Sequence, residues 1–185
     1  MKAEEMRLEV PVLEGVTVSY AETKFSAQGP KGTVEKVLRH PKISITVDGS
    51  NVVLLAKNAT KREKMNMNTF HAHINNIMTG ANEGYTYELK ICSGHFPMSA
   101  AVKGETFELK NFLGEVSPRT LKLKTGAKVT VGGDIITVEA TDKELTGQVS
   151  ADLEKLTKIT NRDRRIFQDG IYITKKGDKV LADMK

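Results

Sequence analysis

A single cysteine, Cys92, stands among 185 residues, so neither a disulfide framework nor an all-cysteine zinc cluster can form within the chain. Tryptophan is absent and 5% of the residues are aromatic, which leaves Val, Ile, Leu, Ala and Met to build the cores. Long hydrophobic runs are missing too. The longest aliphatic stretch, Val52 to Ala56, is too short to span a bilayer, and the opening MKAEEMRLEV is acidic where a secretory leader needs an apolar segment. These absences point to a soluble, intracellular chain that makes one large domain or two small ones.

What is present is charge, and it is unevenly spread. The net charge is +5, divided as +3 over residues 1–81, −2 over 82–157 and +4 over 158–185. Three of the seven arginines, Arg162, Arg164 and Arg165, fall within four positions of the stretch ITNRDRRIFQDGIYITKKGDK. Asp169-Gly170 reads as a turn and Ile171, Tyr172 and Ile173 as a strand, with Lys175, Lys176 and Lys179 beyond. The cations therefore bracket one short element.

A pattern of elements occurs twice, its hairpins offset by 83 or 84 residues. KISITVDGSNVVL alternates Ile43, Ile45 and Val47 with polar residues, turns at Asp48-Gly49 and returns through Val52 to Leu54, a hairpin signature. AKVTVGGDIITV repeats it around Gly132-Gly133. NATKRE (58–63) aligns with EATDKE (139–144), and a helix follows in both. Met67, Phe70, Ile74, Ile77 and Met78 form one apolar stripe, with Gly80 as its expected terminator; Leu145, Val149, Leu153 and Leu156 form the other. Upstream, KGTVEKVL precedes the first hairpin as LGEVSPRTLKL precedes the second. Each stripe needs a sheet to cover it, which predicts an α+β fold of two tandem, similar domains from internal duplication, each a mainly antiparallel sheet packed with one helix. The glycines of TGANEGY punctuate the junction, giving domains 1–81 and 82–185.

Catalytic and metal chemistry find little support. His71 and His73 lie two apart on a helix and point away from each other, His40 sits in a turn before Pro41, and His95 in SGHFP has no ligand cluster within sequence reach. A Cys92/His95 nucleophilic pair lacks an evident third group to orient it. No glycine-rich phosphate cradle and no carboxylate pair in an apolar setting occurs. No cofactor, metal or small-molecule substrate is expected. The first helix carries a different signal: Lys57, Lys61, Arg62 and Lys64 at its entry, then Asn66, Asn68, His71, Asn75 and Asn76 on its polar sides, a mixture suited to the phosphates, 2′-hydroxyls and base edges of structured RNA. Arginine forks at 162, 164 and 165 suit phosphate and exposed bases alike, unless NRDRR is an internally paired loop with Asp163 neutralising its neighbours.

NRDRRIFQDGIYI, together with INNIMTGANEGYTYELKI, HFPMSAAV and NFLGE, resembles the large-subunit ribosomal protein six family in its archaeal and eukaryotic branch, and the likeness covers nearly the whole chain. The bacterial branch typically ends in a short Gly/Lys-rich motif, and long eukaryotic extensions are lacking, so the chain looks archaeal in type. The resemblance implies two duplicated α+β domains, no catalysis, a place in the cytoplasm within the large ribosomal subunit, and docking of the second domain on large-subunit RNA near the stalk base and the translation-factor-binding region, beside neighbouring ribosomal proteins. Matched motif by motif, it puts Asn161, Arg162, Arg164 and Arg165 in the RNA-facing segment, Lys175 and Lys176 in the basic end after it. With Lys179 and the helix entry Lys61, Arg62 and Lys64, these are the expected RNA contacts. A structured-RNA-binding adaptor outside the ribosome is the alternative.

Overall fold

The computed structural model describes residues 3–181; the predicted domain limits at residues 1–2 and 182–185 lie outside them. The chain divides into two compact units, one running to Gly84 and taking in Thr141–Lys143, the other from Tyr85 to Ala140 and on from Glu144.

In the first unit, β1 (Ala3–Pro11) is followed by a meander of β2 (Thr17–Ala21), β3 (Lys24–Gly29) and β4 (Gly32–Val37). The predicted hairpin β5 (Ile43–Asp48) and β6 (Asn51–Ala59) and the helix α1 (Lys61–Asn82) complete it. The second unit repeats this order. β7 (Tyr85–Cys92) corresponds to β1; β8 (Ser99–Lys103), β9 (Thr106–Lys110) and β10 (Arg119–Lys122) to the meander; β11 (Lys128–Gly132) and β12 (Ile135–Ala140) to the hairpin; α2 (Lys143–Leu156) to α1. It then adds β13 (Gly170–Lys176) and β14 (Lys179–Val180).

The sheet expected in each unit is present in two pieces. The first unit has sheets of order β1-β6-β5 and β2-β3-β4, the second β11-β12-β7-β13-β14 and β10-β9-β8, with every pairing antiparallel. Register follows the alternation of side chains. Leu8 faces Leu54 and Val10 faces Val52, while the intervening Glu9 is exposed. The helical stripe meets these faces: Met67, Ile74, Ile77 and Met78 are buried with Phe25, Ala27, Val34 and Leu54 in one core. Val149 and Leu153 are buried with Leu89, Phe107, Ile136, Val138 and Ile171 in the other.

Local chemistry sets the helix ends. Thr60 caps α1 in a capping box, its hydroxyl and backbone N–H donating to the Glu63 carboxylate while its Oγ1 accepts from Arg62 N–H. The terminator is Gly84, not Gly80. The helix passes through Gly80 to Asn82, and the N–H of Gly84, at φ 78°, donates to the Gly80 carbonyl at 3.1 Å. That left-handed conformation suits a residue without Cβ, which Gly80 inside the helix does not need.

The capping box has a consequence for acid stability. The Thr60 hydroxyl, then its N–H, hold the Glu63 carboxyl down at about 2, against the burial that raises it, with Lys42 adding its charge from 3.5 Å. Because the folded value lies below the unfolded one, this stabilisation is complete above about pH 4.5 and is lost as pH falls towards about 2. Glu63→Gln is therefore expected to flatten the acid loss of stability across that window. Urea unfolding at successive pH values checks it.

Candidate nucleic-acid interface

The arginine stretch is the connection from α2 to β13, the part of the second unit that has no counterpart in the first. It is tied down at both ends. Thr157, buried just after α2, accepts the Ile171 N–H on Oγ1 at 2.9 Å. Asp169, predicted as a turn residue, is 2% exposed and serves as an anchor instead. Its Oδ1 accepts the backbone N–H groups of Gly94 at 2.5 Å and His95 at 2.9 Å, and its Oδ2 accepts from His95 Nδ1 at 2.5 Å. A carboxylate can only accept, so the imidazole carries its proton on Nδ1 in this pair. Burial pushes the Asp169 carboxyl up, but the His95 N–H, the imidazole and the Gly94 N–H outweigh it and hold the group below its ordinary value. His95, which sequence spacing left without partners, thus meets one 74 residues away.

The anchored loop is stiffened by stacking. The His95 and Phe167 rings lie 4.8 Å apart at 26°, and the Arg162 guanidinium sits 4.9 Å from the Phe167 centroid. Asp163 accepts a forked pair from Arg165 at 2.7 to 3.2 Å, as the paired-loop reading anticipates for this one residue, and the side-chain and backbone bonds from Arg165 hold its carboxyl low. Even so the Arg165 side chain is 89% exposed. Arg164 is exposed and makes no ion pair among the described residues; Asn161 is exposed at φ 58°. An open cleft of about 1000 Å³ runs beside the loop, lined by Cys92, His95, Arg164, Arg165, Phe167 and Tyr172 among others. Burial pushes the Tyr172 phenol up, and its hydroxyl donates to the Gln168 carbonyl at 3.2 Å.

The remaining predicted cations fall elsewhere. Lys175 and Lys176 end β13, Lys175 lying 3.5 Å from Glu88, and Lys179 faces Lys176 across the β13–β14 turn. At about 3.3 Å per residue, this end is roughly 20 Å along the strand from the arginine loop. Cations at both ends of β13 thus mark out a run equal to about six stacked nucleotides of one strand. In the first unit, Lys61, Arg62 and Lys64 are all exposed in the first turn of α1 and make no ion pair among the described residues. Cations at a helix N-terminus oppose its dipole, so their placement is unfavourable until an anion arrives.

Largely exposed, mostly unpaired cations on two folded α+β units present a surface suited to a polyanion. The description Ribosomal protein L6 belongs to the family model that matches residues 12–84 and 96–170, one stretch in each unit. A "Large ribosomal subunit protein uL6" of Methanosarcina mazei is 44% identical over 91% of this chain and 95% of the relative. Those of Methanobrevibacter smithii and Methanocella arvoryzae are each 41% identical, over 92% and 95% of this chain and 96% and 99% of the relatives. The chain belongs to the ribosomal protein L6 family, as a tandem α+β, non-catalytic structural protein of the large ribosomal subunit and so of the cytoplasm. No helix among the described residues is long and apolar enough to cross a membrane.

Proposed function

We propose that the protein fixes large-subunit ribosomal RNA near the stalk base and the translation-factor-binding region, beside ribosomal proteins of that neighbourhood. Asn161, Arg162, Arg164, Arg165, Lys175, Lys176 and Lys179 of the second domain are the principal contacts, and Lys61, Arg62 and Lys64 of the first are a further one. Residues 1–81 and 82–185 act as the two repeats, the second carrying the basic RNA-binding segment. One observation carries this reading: three arginines stand exposed on a loop whose ends are fixed by Thr157 and Asp169. Holding cations in place before RNA arrives lowers the ordering cost of binding. The bound cations displace counterions along the folded RNA, and the packed units beneath them fix the gripped segments.

Binding to a large-subunit RNA transcript is expected to weaken steeply with salt. Neutralising about five phosphates gives a log–log slope of about −4 to −5, or a loss of about 250- to 1000-fold between about 50 and 200 mM. Filter binding or fluorescence anisotropy across that range measures it. A slope shallower than about −2 removes the phosphate grip from the account.

A further inference from the structure

Three loops meet at one end of the second unit: residues 93–98, 111–116 and 161–169. The first and third are joined by the Asp169 bonds and the His95–Phe167 stack. The first and second are joined by Asn111, whose Nδ2 donates to the Pro97 carbonyl at 2.9 Å. Phe96 lies between these two attachments. Its own N-terminal neighbour is fixed by Asp169 and its C-terminal neighbour by Asn111, so the backbone on either side is held by a side chain from another loop.

Phe96 is nonetheless 45% exposed. One part of it rests against Gly114, where an added Cβ would lie 3.5 to 3.6 Å from three ring atoms. The supporting loop is bent sharply: Asn111, Leu113 and Gly114 take φ of 60°, 49° and 79°. A left-handed leucine is costly and persists where its surroundings over-determine it, often at a binding site. Fixing an aromatic ring in water gains nothing for folding, since an unconstrained Phe could bury more of itself. An exposed ring with immobilised flanks, on a loop joined through His95 to the loop that carries the arginines, has the components of a stacking platform in an electrostatic funnel.

We infer that Phe96 stacks on an unpaired nucleobase of the RNA whose phosphates the 162–165 loop holds. This rests on the RNA-binding reading above and adds to it a site for a base, which a phosphate grip does not need. The arginines then bring the strand in, and the ring selects a segment with a base turned out of its stack. A regular duplex, whose bases are covered, satisfies the arginines alone.

The absence of tryptophan from the sequence makes the test direct, because Phe96→Trp places a single indole in the chain. A large-subunit RNA transcript is expected to quench its emission by about half or more, and a fully paired RNA duplex bound at low salt to leave it nearly unchanged. Phe96→Ala and Phe96→Leu are both expected to weaken transcript binding about tenfold with cooperative unfolding retained, since leucine keeps apolar volume but has no π face. Unaltered affinity in both variants, with indole emission of the Phe96→Trp chain unmoved by the transcript, overturns the base site while leaving the phosphate grip standing. Full affinity in Phe96→Leu with loss in Phe96→Ala overturns it in favour of a plain apolar contact, as with a protein neighbour. Absence of salt-sensitive RNA binding by the unaltered chain overturns both.

Discussion

Changing Arg162, Arg164 and Arg165 together to Ala is expected to weaken binding to large-subunit RNA by about a thousandfold and to flatten its salt slope by about three. Each guanidinium can offer a forked, charge-assisted pair to phosphate, and the loss of one such contact costs about tenfold. The fold should survive. All three side chains are exposed, and the Arg165 pair with Asp163 is a surface interaction of little consequence for stability. Arg162 is the one with a packing role, and losing its place over Phe167 costs roughly 0.5 to 1 kcal/mol. Circular dichroism and urea unfolding establish that the triple variant is folded; RNA titration then gives the answer. A folded triple variant with undiminished affinity takes the loop out of the interface.

Replacing Asp169 with Ala should act from the opposite direction. The change raises net charge by one, so electrostatics alone favours tighter RNA binding. The anchoring geometry requires weaker binding, by about tenfold, because the loop loses its attachment to Gly94 and His95 and the arginines must be ordered on contact. Removal of a buried carboxylate that accepts three bonds should also destabilise the second unit by about 2 kcal/mol. The acid dependence carries a matching sign. The folded carboxyl titrates below its ordinary value, so its stabilisation is present above the unfolded pKa and disappears as pH falls through the folded one. Asp169→Asn, which can still accept the two backbone N–H groups, should lie between the two. Urea unfolding and RNA affinity measured on the same preparations separate the outcomes; tighter binding by Asp169→Ala refutes the anchoring role.

Much of this architecture can be read along the chain, for a physical reason. Hairpins with alternating Ile43, Ile45 and Val47, and helices with Met67, Ile74 and Ile77 on one face, encode local structure in local spacing, and their recurrence exposes the duplication. β1 is harder to see. Its Met6, Leu8 and Val10 alternate with Glu5, Arg7 and Glu9, and the charged side chains of this edge strand draw attention to the segment's acidity before its alternation. The division of each sheet into two likewise depends on which strands pair, which no spacing states. At the site, the arginines announce themselves by composition. Asp169 does not. Asp-Gly is ordinarily a turn, and partners 74 and 75 residues away become visible after β13 has been laid beside β7. Phe96 escapes notice for the same reason, being one of six phenylalanines until its supports at Gly114 and Asn111 are known.

The pairing of β13 with β7 also orders events in time. β7 opens the second unit, yet the strand completing its sheet on that side is not made until some eighty residues later. A nascent first unit has every strand and its helix by Asn82, whereas the second must wait, one flank of its opening strand unzipped, until Lys176 has left the ribosome. The arginine-bearing connection is cinched at that same moment. The shape of that connection is therefore settled by a pairing that reaches back across the whole second unit, and not by the residues next to it in the chain.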